Sequence, residues 1–265
     1  MAAQGARGIR LWQGVYADRS ETKSHAFHDF ASLGIPDERF SMHYSFWAAF
    51  HEQGVFLVDT GFFVPDMYWA PQAQWRPVPA VLAAMGIDPG QVAGVILTHY
   101  HFDHAGHVEL FPRARLFAQR REHEHWASAA EQELRSGFVE PRHLAAIQAA
   151  DAEGRLVLVD GTAEVVPGIT MVLAPGHTPG QSAVLVRTAS GPRLLASDAI
   201  HLYEQLDLGW RFFAHTDAEQ SDRTIASLRE LSEREGAPLV PGHDSRVMQR
   251  LPARTGPTDF IVELG

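Results

Sequence analysis

Seven consecutive residues, THYHFDH at positions 98–104, constrain this chain more than any other feature. They close the uninterrupted apolar run VAGVILT (92–98), which reads as a buried strand. In extended chain, side chains two apart point the same way, so His99 and His101 can converge on one ion. A tight turn then carries Asp103 and His104 to a second point nearby, and Ala105-Gly106-His107 permits a sharp bend and a helix start. Imidazole and carboxylate ligands suit Zn²⁺ and other borderline divalent ions. The competing reading is a polar loop with incidental histidines.

Three further residues weigh against that reading. His177 lies in APGHTPG, just past the apolar run ITMVLA (169–174). Asp198 follows RLLAS (193–197), and His243 lies in VPGHD, just past 238–240. Each is a potential ligand at the C-terminal end of an expected strand, where active sites of α/β folds collect. The chain has no cysteine, so disulfides and thiolate-based metal sites are both excluded.

Other composition features narrow the partners. The formal net charge of −10 repels phosphate backbones, so nucleic acid is not an expected partner. No apolar run reaches the ~18 residues of a membrane span. The opening MAAQGARGIRLWQG lacks the apolar stretch of a secretory signal. The expectation is a cytoplasmic protein without membrane contact.

The 265 residues read as one domain, 1–265. Strands are expected at 9–16, 43–50 and 54–59, with a turn at Glu52, Gln53 and Gly54 between the last two. Further strands are expected at 92–98, 114–118, 155–159, 169–174, 182–187, 193–197 and 238–240. Helices are expected at 78–86 and 218–235, the latter ending at Gly236. The Ala-, Glu-, Arg- and Gln-rich stretch 119–152 reads as one or two helices, with Pro141 near the start of the second. Two blocks of strands, each followed by helix, suggest two sheets with helices outside.

With these residues in place, the chain resembles the metallo-β-lactamase-fold hydrolase superfamily. That family's pattern, HxHxDH then His, Asp and His, is matched by His99, His101, Asp103, His104, His177, Asp198 and His243. The resemblance implies an αββα sandwich of two mixed sheets with the metals at one edge. It also implies two divalent metal ions, with zinc foremost. One ion would take His99, His101 and His177, the other Asp103, His104 and His243, with Asp198 bridging. Asp59, in VDTG, would accept a hydrogen bond from a ligand histidine; the alternative is a turn residue closing its strand. A hydroxide shared by ions roughly 3.5–4 Å apart would then attack a carbonyl carbon, with Asp103 orienting it or passing its proton on.

Within the superfamily, LTHYHFDHAGH (97–107), ASDAI (196–200) and the overall length are similar to the N-acyl-homoserine lactonases. That resemblance implies ring opening of a small lactone. Cysteine-dependent β-lactamases do not fit, and the 22 residues after His243 are too few for the helical domain of glyoxalase-II-type thioesterases. A thioesterase or carboxylic ester hydrolase with the same metals is the second reading. A mononuclear iron persulfide dioxygenase and a non-catalytic metal-binding protein are the third and fourth. The lactonase family carries a tyrosine three residues after the bridging aspartate. Here that position is His201, and Tyr203 is the nearest tyrosine, so either can assist the carbonyl. Phe46, Trp47, Phe62, Phe63, Tyr68, Trp69 and Trp75 form a candidate apolar wall, with ordinary core packing as the alternative for most. The segment 62–75 is also a candidate surface for a homodimer.

Overall fold

The computed structural model describes residues 8–129, 138–251 and 253–265. The first sheet comprises β1 (Arg10–Thr22), β2 (Arg39–His51), β3 (Gly54–Val58), β4 (Gln74–Trp75), β5 (Val92–Ile96), β6 (Arg115–Gln119) and β7 (Leu156–Val159). The second comprises β8 (Ala163–Val166), β9 (Ile169–Leu173), β10 (Ser182–Thr188), β11 (Gly191–Ser197) and β12 (Leu239–Pro241). The chain then returns to the first sheet with β13 (Arg254–Thr255) and β14 (Ile261–Glu263), β14 pairing with β1. Both sheets are mixed. Strands β3, β5, β6 and β7 run parallel, and so do β11 and β12, while the other pairs are antiparallel.

Alternation along the strands builds three apolar layers. Trp47, Phe56, Val58, Ile96 and Phe117 of the first sheet meet Met171, Val184, Val186, Leu195 and Val240 of the second. The intervening residues Phe46, Leu57, Val95 and Leu116 point the other way, onto Val81, Leu82, Leu144 and Ile147 of the outer helices. On the far side, Leu185, Leu194 and Ala196 pack on Leu228. The helix over the second sheet, Ala218–Glu235, starts where the Asp217 carboxylate accepts from the Gln220 N–H. It ends at Gly236, whose φ of +60° suits a residue without Cβ. The result is the expected αββα sandwich.

Several elements differ from expectation. Strands β1 and β2 run well beyond 9–16 and 43–50, because their polar outer halves are carried by mutual pairing from Asp18–His43 to Thr22–Arg39 rather than by burial. Strands β8, β13 and β14 and the short helix Tyr203–Asp207 were not signalled by periodicity. The stretch 119–152 contains the helices Arg120–Ala127 and Pro141–Ala152; its residues 130–137 lie outside the described residues. Phe46 and Trp47 belong to the cores on opposite faces of β2 and not to a pocket wall.

Trp47 is fully buried between the sheets. Trp47→Ala is expected to lower unfolding free energy by about 3–5 kcal/mol, read from urea denaturation; a loss below ~1 kcal/mol would mean the inter-sheet layer is not a tight core.

Candidate metal centre

The cluster assembles where strands of both sheets end. His99 follows β5, and the short helix Phe102–Ala105, preceded by His101, carries Asp103 and His104. His177 follows β9, Asp198 follows β11 and His243 follows β12. Two non-glycine residues here adopt left-handed backbone, Asp59 at φ +64° and Ser197 at φ +47°. Such strain persists where surrounding contacts over-determine it. The Ser197 hydroxyl lies 2.9 Å from the Thr98 hydroxyl, which ties the end of β11 to the end of β5.

Two groups of donors result. Nitrogens of His99, His101 and His177 lie within 4.8 Å of one another, as do the donor atoms of Asp103, His104, Asp198 and His243. His177 Nε2 is 3.2 Å from His99 Nε2 and 2.9 Å from His101 Nδ1. The Asp198 carboxylate stands between the groups. Its Oδ2 faces His177 and His99 at 3.5 and 3.9 Å, and its Oδ1 faces His104 and His243 at 3.2 and 3.0 Å. His104 Nε2 and Asp198 Oδ1 are both buried and make no hydrogen bond. Buried polar atoms without partners are costly, and a cation between them satisfies both, so the residues present fit divalent metal.

The outer nitrogens are fixed by acceptors. His104 Nδ1–H donates to Asp59 Oδ2 at 2.8 Å, His177 Nδ1–H to the Ala214 carbonyl at 2.8 Å and His243 Nδ1–H to the His43 carbonyl at 2.8 Å. A carbonyl can only accept, so the latter two carry a proton on Nδ1, and in the neutral ring Nε2 is the nitrogen left to bind a cation. Asp59 also accepts from the Thr98 N–H and hydroxyl. Both alternatives raised for it hold: it closes β3 and steers a cluster histidine.

Electrostatics separates the groups. Burial pushes His99 and His177 well below the usual imidazole range and His101 to about 4, with neighbouring imidazoles adding to the effect. Burial also acts to lower His104 and His243, but Asp198 and Asp103 outweigh it and raise both. Burial works to raise the Asp198 and Asp103 carboxyls, yet the adjacent imidazoles, His104 foremost, hold both below the usual range.

One residue that patterning did not single out is central. Glu122, buried in the helix Arg120–Ala127, accepts from the Tyr100 N–H, Trp126 Nε1, the Thr178 hydroxyl and the Gly180 N–H at 2.7–3.0 Å. It therefore ties the loop of His99 and His101 to the loop of His177. Gly180 is required beside it, because a Cβ there would come within 2.2 Å of the Glu122 nitrogen. The only sequence signal was an acidic residue in a helical stretch.

The cluster opens into a cleft of about 310 Å³ whose lining includes Tyr44, Trp69, Phe102, Phe138 and Phe212. Tyr68 and Trp69 of the segment 62–75 line it, while Phe62 is buried in the core and Phe63 packs edge-on against Trp75 outside it. His201 lies in the lining, with Nε2 3.2 Å from Asp198 Oδ2. Tyr203 is not in the lining. The chain turns into a helix at that residue, and its ring packs under Arg250 and Arg246, 4.4 and 5.8 Å from their guanidinium carbons.

A family model for the metallo-beta-lactamase superfamily matches residues 39–243. The chain belongs to that superfamily. It is accordingly a metal-dependent hydrolase. AttM, an N-acyl homoserine lactonase of Azorhizobium caulinodans, is 36% identical over 192 residues, 68% of this chain and 69% of the relative. AiiA, an N-acyl homoserine lactonase of Bacillus thuringiensis subsp. kurstaki, is 29% identical over 208 residues, 73% of this chain and 78% of the relative. The solved structure of a quorum-quenching N-acyl homoserine lactone lactonase has a TM-score of 0.75 at 24% identity, covering 96% of this chain and 99% of its own, and so shares the fold. No helix among the described residues is long and apolar enough to cross a membrane.

Removing the acceptor for His104 with Asp59→Ala is expected to weaken metal binding about 10–100-fold in chelator competition; unchanged affinity would assign Asp59 to the turn alone. In the metal-free protein His104 and His243 keep their protons to higher pH than free imidazole. A cation must displace those protons, so affinity rises with pH and falls as pH drops. Calorimetry in buffers of different ionisation enthalpy should read net proton release on metal binding, and no release would contradict the assignment.

Proposed function

We propose that this metallo-beta-lactamase superfamily enzyme opens the ring of a small lactone, N-acyl homoserine lactones being the first candidates. Two ions, zinc by the chemistry of the donors, would be held by His99, His101 and His177 on one side and Asp103, His104 and His243 on the other, with Asp198 between them. The observation that carries the reading is the opening of this cluster into an aromatic cleft of about 310 Å³, of a size and character to take a lactone with a short acyl chain. The names of the related lactonases support the same substrate class.

Divalent ions, when bound, supply charge stabilisation at a carbonyl oxygen and lower the pKa of water. The chain supplies the rest. Tyr44, Trp69 and Phe212 hold the acyl group and displace water beside the reacting carbonyl. The Asp103 carboxylate, ionised and lining the cleft, orients the water and accepts its proton as oxygen adds to the carbonyl carbon. The ring C–O bond then breaks, and the leaving alkoxide takes that proton back. The product is a hydroxy acid, which ionises at neutral pH and releases one proton per ring opened. Asp103 is itself held in place through its carbonyl, which accepts from the buried Tyr16 hydroxyl at 3.0 Å.

The test is a pH-indicator assay of metal-loaded protein against lactones of increasing acyl length, with thioesters and a β-lactam alongside. Lactone opening that is lost in Asp198→Ala is the expected result. Turnover of a thioester with no lactone opened would replace the reading with the thioesterase one. Trp69→Ala is expected to raise KM for a hexanoyl or longer chain about tenfold while leaving a chainless lactone within twofold, since burying each CH₂ contributes ~0.8 kcal/mol. Equal effects on both would remove Trp69 from the acyl site.

A further inference from the structure

We infer that Glu122 is the positioning residue of one cation position only, the one bounded by His99, His101 and His177; this rests on the metal centre proposed above. Its carboxylate is buried, and its two oxygens serve two different loops. Oε1 accepts from the Tyr100 N–H at 3.0 Å and from Trp126 Nε1 at 2.7 Å. Oε2 accepts from the Thr178 hydroxyl at 2.7 Å and from the Gly180 N–H at 3.0 Å.

Each of these four bonds ends beside a donor of that position. Tyr100 stands between His99 and His101, Thr178 follows His177, and Gly180 comes two residues later. Trp126 sets its ring edge against the His101 imidazole, with centroids 6.0 Å apart and planes at 65°. That contact matters because no acceptor among the described residues fixes the outer nitrogen of His101. Its Nδ1 faces His177 Nε2 at 2.9 Å, and the rings of Trp126 and Phe138 flank it. Holding Trp126 therefore holds His101.

The other position is steadied by different contacts. Asp59 steers His104, the His43 carbonyl steers His243, and the Asp103 carbonyl accepts from the Tyr16 hydroxyl. None of these involves Glu122 or its four donors. The two frames meet at Asp198 and at Thr98, whose hydroxyl donates to Asp59 and lies 3.2 Å from His99 Nδ1. His101 and His177 are thus the donors that depend most on Glu122. The two backbone N–H groups and the indole N–H can only donate, so a full set of four bonds needs a carboxylate. A glutamine amide, whichever way it is turned, leaves at least one of these buried donors without an acceptor.

The test uses the full chain and reads each position separately. Zinc is withdrawn by a competing chelator while long-range ¹H–¹⁵N spectra of histidine-labelled protein distinguish bound from free imidazoles. In Glu122→Gln the position of His101 and His177 is expected to lose affinity about 10–100-fold, while His104 and His243 stay bound at the chelator concentrations that wild type withstands. Thr178→Val removes a single bond to Glu122 and is expected to weaken the same position by a smaller factor. Equal losses at both positions, tracking a fall in unfolding free energy, would make Glu122 a general structural residue and overturn the inference. So would wild-type affinity at both positions. Wild type that holds no zinc would overturn the metal centre as well. If Glu122→Gln does not fold, Thr178→Val decides: a loss confined to the position of His101 and His177 supports the inference, and any other pattern overturns it.

Discussion

The Asp198 carboxylate is the point on which the rest of this structure turns. It belongs to the second sheet, and its two oxygens are divided between imidazoles carried by both sheets, His99 and His104 by the first and His177 and His243 by the second. The centre exists only while the sheets are packed in register, and the inter-sheet layer of Trp47, Ile96, Val184 and Leu195 sets that register. Local ties do the fine adjustment. Thr98 donates its N–H and hydroxyl to Asp59 and its carbonyl accepts from the Ser182 N–H, so the ends of β3, β5 and β10 meet at one residue. Ser197 beside it is held in left-handed backbone, which aims Asp198 inward.

So many buried ionisable groups in one place is unfavourable without compensation. Part of the compensation is internal. Glu122 accepts four hydrogen bonds, Asp59 is encircled by Thr98 and His104, and three cluster imidazoles donate outward. His104 Nε2 and Asp198 Oδ1, which face each other without a hydrogen bond, lie where a cation fits. These hydrogen bonds fix a polar frame around the cluster.

The donors were legible in the sequence because their chemistry and their strand-end placement coincide: THYHFDH after an apolar run, and Gly-Pro turns around His177 and His243. The sandwich was legible in two blocks of apolar runs, each followed by helix, together with the family resemblance that the donors carry. What was hidden depends on contacts distant in sequence. Glu122 reads as one acidic residue among many in a helical stretch, and only folding brings Tyr100, Thr178 and Gly180 around it. Tyr203 was an equal candidate with His201 until a helix start turned its ring under Arg250. Phe212, which fixes His201, lies in a segment with no periodicity to read. The outer halves of β1 and β2 escaped because pairing, and not burial, holds them.

We propose that Asp198 separates two cation positions of unlike surroundings within one cleft. An anomalous difference map from crystals of the zinc-loaded protein, recorded above and below the zinc edge, tests this. Two peaks are expected, one on each side of the Asp198 carboxylate, the first against His99, His101 and His177 and the second against Asp103, His104 and His243. A single peak, or peaks away from Asp198, would contradict it.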